Sequence, residues 1–149
     1  MTDHRDPARG IALQGITGEI AAEVIRDAVG TEEAAARAVS IAVVDDAGVL
    51  VAFHRMTGAP RFSADFAIAK ARTAAAFGTE TSRLEELYAD RPVFAHSFVA
   101  QGGYFLGRGG VPVLVEGLVV GAIGVSGADA HGEEDVARTA ARRAGTLAG

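Results

Sequence analysis

Lys70 is the only lysine of the 149-residue chain, and it lies in an alanine-rich stretch that is predicted to be helical. A lysine beside apolar surface can act as a base, an acid or a Schiff-base amine. The structural alternative is a lysine that reaches solvent or pairs with Asp65 or Asp45. Asp65 and Arg72 are two turns apart on one helix face, with Thr73 one residue further round. We therefore predict proton transfer by Lys70 and Asp65, and ligand binding by Arg72 and Thr73.

His96 is the histidine with the most suggestive surroundings, because it lies between Phe94 and Phe98 and just before a run of glycines. It is our third candidate for proton transfer, and the alternative is a surface or partly buried loop histidine. Arg55 follows a predicted strand and could hold a carboxylate through two parallel hydrogen bonds, unless it forms a structural ion pair. The four histidines lack zinc-site spacing and cysteine is absent, so no metal site made only by the protein is expected.

Residues 93–110 combine four aromatic side chains with five glycines. Glycine allows the backbone to approach a ligand closely, although turn geometry and tight packing explain the same composition. The segment contains neither a P-loop nor a dinucleotide-binding pattern. The predicted ligand-binding residues of this segment are Gln101, Gly102, Gly103, Tyr104 and Arg108.

The elements that must position these residues follow from hydrophobic periodicity and turn signals. Thr17 is predicted to cap a first helix that breaks at Gly30 or continues to Arg37. The order is helix, hairpin, two helices, glycine-rich segment, hairpin and helix, which indicates an antiparallel sheet covered by helices. The predicted hairpins are Val39–Asp45 with Val49–Arg55 and Val111–Val115 with Leu118–Val125; the later helices are Ala64–Phe77 capped by Ser63, Ser82–Ala89 with a capping box, and Glu133–Leu147.

Composition limits the function classes. With 49% hydrophobic residues, 22% charged residues and a net charge of −5, the chain reads as one globular domain, 13–149, after a flexible arm, 1–12. Its arginines are scattered among acids, so nucleic-acid binding is not expected. No apolar stretch is long enough for a signal peptide or a membrane span, and the absence of cysteine suits the cytoplasm.

Three ordered stretches carry a family resemblance. They are VSIAVVDDAGVLVAFHRMTGAP (Val39–Pro60), DFAIAKARTAAAFG (Asp65–Gly78) and GGVPVLVEGLVVGAIGVSG (Gly109–Gly127). Together they resemble the GlcG/HbpS (heme-degrading, DUF336-type) family over about residues 12–145. The chain differs from the family pattern at Thr57, where an acid is usual, and in lacking a histidine beside the turn at Gly48.

The resemblance implies an α/β fold, namely a five-stranded antiparallel sheet with helices on both faces in a profilin-like arrangement. It also implies a homo-oligomer, from dimer to octamer. Some family members bind or degrade heme, and others belong to small-molecule catabolism. Heme is therefore the first ligand to consider, with His96 as a candidate axial ligand.

Three functions stay open from the sequence. The first is binding of heme or another planar anionic ligand in a pocket beside the second helix and the glycine-rich loop. The second is a cofactor-free isomerase, lyase, deaminase or cyclase that acts on a small carbonyl or carboxylate compound through Lys70, Asp65 and His96. The third is an accessory oligomer without chemistry of its own.

Overall fold

A single antiparallel sheet organises the computed structural model, which describes residues 15–127 and 129–149. Within those residues the sheet has four strands rather than the five expected, and their order is β2-β1-β4-β3. Both hairpins are confirmed. The predicted arm at 1–12 lies outside the described residues. The strands are β1 (Ser40–Asp45), β2 (Leu50–Arg55), β3 (Gly110–Val115) and β4 (Leu118–Ser126).

Six helices complete the described part of the chain. The first helix ends before Gly30, and Thr31 caps a separate short helix, so the break predicted as one alternative is observed. A helix that was not predicted begins at Pro92. Proline is favoured at the first position of a helix, because its fixed φ suits the helix and no hydrogen bond is lost there. The helices are α1 (Gly18–Val29), α2 (Glu32–Arg37), α3 (Ser63–Phe77), α4 (Thr81–Leu87), α5 (Pro92–Ala100) and α6 (Ala130–Ala148).

Helix caps were predicted with mixed success. Thr17 accepts a hydrogen bond from the amide of Ile20, as expected of a cap. Ser63 does not cap α3: it is the first helical residue, and its hydroxyl lies 2.8 Å from the hydroxyl of Ser40 on β1. The capping box at Ser82 is also wrong, because α4 begins at Thr81, whose hydroxyl accepts from the Gly110 amide at 2.9 Å. The error at Ser63 arises because a tertiary contact with β1 recruits its hydroxyl.

The two faces of the sheet carry different side chains, because successive residues of a strand point to opposite faces. Ile41 and Val43 of β1 point to one face, where they pack with α1 and α6 in the larger apolar core. Ala42 and Val44 point to the other face, where the alanines of α3 form a second, smaller cluster. Helices therefore lie on both faces, and the face with small side chains holds α3 close to the sheet.

Gly124 of β4 is the position at which α3 comes closest to the sheet. A Cβ atom there would collide with the carbonyl oxygen of Ala67 and would lie 2.7 Å from the amide nitrogen of Ala71. Both obstacles are helix backbone, which cannot move aside as a flexible side chain can. The alanine face of α3 and this glycine thus set the distance between helix and sheet.

Replacing Gly124 with alanine should therefore be strongly destabilising. We expect Gly124→Ala to lower the free energy of unfolding by about 3 kcal/mol, the upper range for overpacking a core. Gly18→Ala is the matched control, because nothing lies within 4 Å of a Cβ added at Gly18. Urea unfolding followed by circular dichroism measures both, and an equal effect of the two substitutions would contradict the close approach.

Candidate functional site

A buried ion pair lies at the centre of the site. The Nζ of Lys70 on α3 is 2.9 Å from Oε2 of Glu133 on α6, and it also donates to the carbonyl of Val125 on β4 at 3.2 Å. Oε1 of Glu133 accepts from the Gly127 amide at 2.6 Å. Lys70 is only 4% exposed and Glu133 only 3%. The expected partners Asp65 and Asp45 are therefore wrong, and the true partner comes from the last helix.

Gly109 leaves space for the Lys70 side chain. Gly109 has a φ of +117°, and a Cβ there would collide with the carbonyl of Val125 and lie 3.3 Å from Nζ of Lys70. Only glycine combines that backbone conformation with the space required. Gly109 of the glycine-rich segment therefore packs against the lysine side chain.

Phe105 is held over Lys70 by Thr73. The Thr73 hydroxyl accepts from the Phe105 amide at 2.8 Å and donates to the Ala69 carbonyl at 2.7 Å. The ring of Phe105 lies with its centroid 5.5 Å from Nζ of Lys70 and 4.6 Å from the ring of Phe66. Thr73, predicted to bind ligand, is fully buried and positions this ring.

Two depressions adjoin the pair of rings formed by Phe66 and Phe105, which line both. The lysine depression has a volume of about 340 Å³, and the aromatic depression about 550 Å³. Lining the lysine depression are Phe62, Phe66, Lys70, Glu85, Phe105, Gly107, Arg108, Ser126, Gly127, His131 and Glu133. Lining the aromatic depression are Asp65, Phe66, Ile68, Ala69, Arg72, Val99, Gly103, Tyr104 and Phe105.

The predicted site residues divide between these places. Lys70 and Arg108 line the lysine depression, whereas Asp65, Arg72, Gly103 and Tyr104 line the aromatic depression. The structure does not bring together the three residues predicted to transfer protons. Lys70 lines the lysine depression, Asp65 lines the aromatic depression, and His96 on α5 lines neither. Four of the predicted site residues are exposed and line neither depression, namely His96, Arg55, Gln101 and Gly102.

A chain of ion pairs holds Arg108 at the rim of the lysine depression. Its guanidinium lies 3.0 Å from Oε2 of Glu134, which is 4% exposed. Glu134 also approaches Arg138, at 3.4 Å, and Arg138 donates two hydrogen bonds to Glu80 at 2.8 and 2.9 Å. Those bonds lower the pKa of Glu80 below its usual value and raise that of the Arg138 guanidinium. The glycine-rich segment is thereby tied to α6.

Sequence reasoning missed Glu133 and His131 on α6, and the ring of Phe66. Glu133 was recognised as an acid near the start of a helix, where it suits the helix dipole. Its partner lies 63 residues away along the chain, so only the tertiary position of α6, across the sheet from α3, identifies it. The signal available in the sequence was the sole lysine, which required a counter-charge if buried.

The described ranges, 15–127 and 129–149, contain neither a metal-binding cluster nor a membrane-spanning helix. No cluster of three or more histidine or acidic side chains in them could hold a metal ion. No helix in them has the length and apolar character needed to cross a bilayer.

Comparisons with known proteins agree on one family. The family described as "Haem degrading protein HbpS-like" matches residues 16–142. The chain is 42% identical over 101 residues to the protein GlcG of Escherichia coli K12, covering 66% of this chain and 73% of GlcG.

Solved structures are similar as well. A crystal structure of a Streptomyces reticuli HbpS double mutant is 34% identical with a TM-score of 0.74, covering 91% of this chain and 88% of that chain. A crystal structure of a PduOC–heme complex is 27% identical with a TM-score of 0.76, covering 87% of this chain and 94% of that chain.

The buried pair should matter for stability more than any surface pair. Glu133→Ala leaves the charge of Lys70 buried and unpaired, and we expect the free energy of unfolding to fall by about 3–5 kcal/mol. The double variant Lys70→Met, Glu133→Met removes both charges and should recover most of that loss. Urea unfolding at neutral pH measures these differences.

The matched control is Glu23→Ala, which breaks an exposed pair in which Arg143 lies 3.1 Å from Glu23. Its expected cost is below about 1 kcal/mol. A loss at Glu133 no larger than the loss at Glu23 would contradict the buried pairing.

Proposed function

The chain belongs to the HbpS-like family, and we propose that it binds a planar, anionic small molecule in the aromatic depression, heme being the first candidate. The observation that carries this proposal is the combination of three aromatic rings with one cation in a single depression. The rings are those of Phe66, Tyr104 and Phe105, and the cation is Arg72.

The residues present fit such a ligand. The depression, about 550 Å³, is within the usual size range of small-molecule sites and is mostly apolar. The guanidinium of Arg72 lies 5.7 Å from the centroid of the Tyr104 ring, so one face can offer both stacking and a carboxylate contact. The heme complex of the similar PduOC chain supports the choice of heme.

Heme, if it is the ligand, supplies its iron for redox or oxygen chemistry. Arg72 would hold a propionate, and Phe66 and Phe105 would contact the ring face. Tyr104 has the phenol oxygen that ligates iron in some heme proteins, and it lines the depression, whereas His96 and His54 are exposed outside it.

A second function is favoured by the lysine depression. We propose that a small carbonyl or carboxylate compound is processed there without a cofactor, as an isomerase, lyase, deaminase or cyclase would do. The supporting observation is the burial of Lys70 beside Glu133 at the floor of a depression about 340 Å³ in volume. The proton-transfer role then passes from Asp65 and His96 to Glu133, which contacts Lys70 directly.

We also propose that the protein is a homo-oligomer in the cytoplasm, and helix α5 supports the oligomer. Its sequence, PVFAHSFVA, is almost wholly apolar, yet none of its residues is buried in the single chain. Val93 is 80% exposed, and Phe94 and Val99 are also exposed. A contiguous exposed apolar surface of this kind is typical of an interface between protein molecules.

Hemin titration tests the binding proposal. We expect a saturable Soret shift with one hemin per chain, and Arg72→Ala should weaken binding about tenfold because a charge-assisted contact is lost. Phe66→Ala should weaken it by a similar factor. Arg26→Ala, which removes an exposed arginine of α1, is the control and should change nothing.

The spectrum also reports the iron ligand, since Tyr104→Phe should alter the Soret position whereas His96→Ala and His54→Ala should not. Absence of any Soret shift, or binding equally strong in the Arg72 and Phe66 variants, would contradict the proposal.

A further inference from the structure

We propose that Lys70 forms a Schiff base with a small α-keto acid bound in the lysine depression. The inference deepens the second function proposed above and rests on it. It names the substrate class, a carbonyl carbon next to a carboxylate, and it assigns separate roles to Lys70, Glu133 and Arg108.

Lys70 is buried but not saturated with hydrogen bonds. An ammonium group has three donors, and among the described residues two of them have acceptors, on Val125 and Glu133. Lys70 lines the lysine depression, and its Nζ lies 5.5 Å from the centroid of the Phe105 ring, which lines it too. A small molecule that enters the depression therefore lies against the lysine side chain.

Glu133 is placed to move the protons of the reaction. Its Oε1 is held by the Gly127 amide, while Oε2 lies 2.9 Å from Nζ of Lys70. Oε2 takes a proton from the ammonium, and the free amine attacks the carbonyl carbon, forming a C–N bond as the C=O π bond breaks. The attacking nitrogen then passes one proton to the alkoxide oxygen, which becomes a hydroxyl group. The protonated Glu133 returns its proton to that hydroxyl group, which leaves as water while the C=N bond of the iminium forms.

The step balances without any other reactant. An ammonium, a carboxylate and a ketone become an iminium, a carboxylate and one water molecule, and the net charge of the site does not change. The iminium keeps the positive charge beside Glu133, so the buried pair is never left with a single uncompensated charge.

Arg108 is placed to bind the carboxylate of the keto acid. It borders the same depression, is about one third exposed, and offers five donors, of which Glu134 occupies one at 3.0 Å. The rings of Phe62, Phe66 and Phe105 provide apolar contact for a short alkyl group. Because the depression is about 340 Å³, it suits a small acid better than a heme-sized ring.

The acids in the depression argue against a simple anion site. Glu133 and Glu85 both line it, so a bare anion would meet negative charge as well as positive charge. A covalent bond to Lys70 overcomes that opposition, and a keto acid can form one whereas a plain carboxylic acid cannot.

Because Lys70 is the only lysine, a reduced adduct can be assigned to it without competing lysine sites. Full-length protein is incubated with pyruvate and sodium cyanoborohydride, and peptide mapping by mass spectrometry locates the reduced adduct. The only amines in the polypeptide are Lys70 and the α-amino terminus. We expect labelling at Lys70 that is at least about tenfold faster in native protein than in urea-unfolded protein, as for an activated nucleophile.

Three variants separate the roles. Lys70→Arg retains the ion pair with Glu133 and should abolish the adduct. Glu133→Gln retains an acceptor for the Gly127 amide but loses the proton carrier, and should slow labelling about tenfold or more. Arg108→Gln should raise the pyruvate concentration needed for half-maximal labelling, with little effect when acetone, which has no carboxylate, replaces pyruvate. Asp135→Asn, at an exposed position of α6, is the control and should label normally.

Labelling confined to the terminus, or slower at Lys70 in native than in unfolded protein, would overturn the inference. Unchanged labelling in Glu133→Gln would overturn the role of Glu133. Failure of this test can be told apart from failure of the proposals above. A protein that binds hemin normally can fail it, and an enzyme using Lys70 only as a base would lose turnover in Lys70→Arg without ever yielding an adduct.

Discussion

The ion pair between Lys70 and Glu133 is the constraint on which the described structure depends. It joins α3 to α6 from opposite faces of the sheet, and the second hydrogen bond of the lysine reaches β4 between them. Burying one of these charges alone would cost several kcal/mol, so the helices must be positioned to keep the two within contact. The same requirement places an amine and a carboxylate together in the lining of one depression.

Small residues make that contact geometrically feasible. The alanine face of α3 rests on Gly124, and Gly109 leaves room for the lysine side chain beneath the glycine-rich segment. Thr73 then anchors Phe105, whose ring separates two depressions of different size and character. The aromatic depression and the smaller lysine depression thus lie side by side along α3.

The sequence predicted the fold better than the site. Apolar runs bounded by turn residues located both hairpins, and the alanine-rich stretch around Lys70 is helical as predicted. The cap at Ser63 was wrong because its hydroxyl contacts Ser40 on β1. Helix α4 begins at Thr81 rather than at the predicted Ser82, and the Thr81 hydroxyl contacts Gly110 on β3. The counter-charge of Lys70 was sought nearby in the sequence, whereas Glu133 comes from a helix whose packing no local pattern reveals. Burial of the lysine is a tertiary property, and so is the division of the predicted residues between two depressions.

The most direct test of the central claim is nuclear magnetic resonance of protein labelled with ¹⁵N at the lysine Nζ. Since Lys70 is the only lysine, the spectrum contains one side-chain signal from that label. The buried, hydrogen-bonded ammonium should give a proton–nitrogen cross-peak protected from exchange with water, and Glu133→Gln should shift it. A signal lost to rapid exchange under the same conditions, or one that Glu133→Gln leaves unchanged, would contradict the pairing of Lys70 with Glu133.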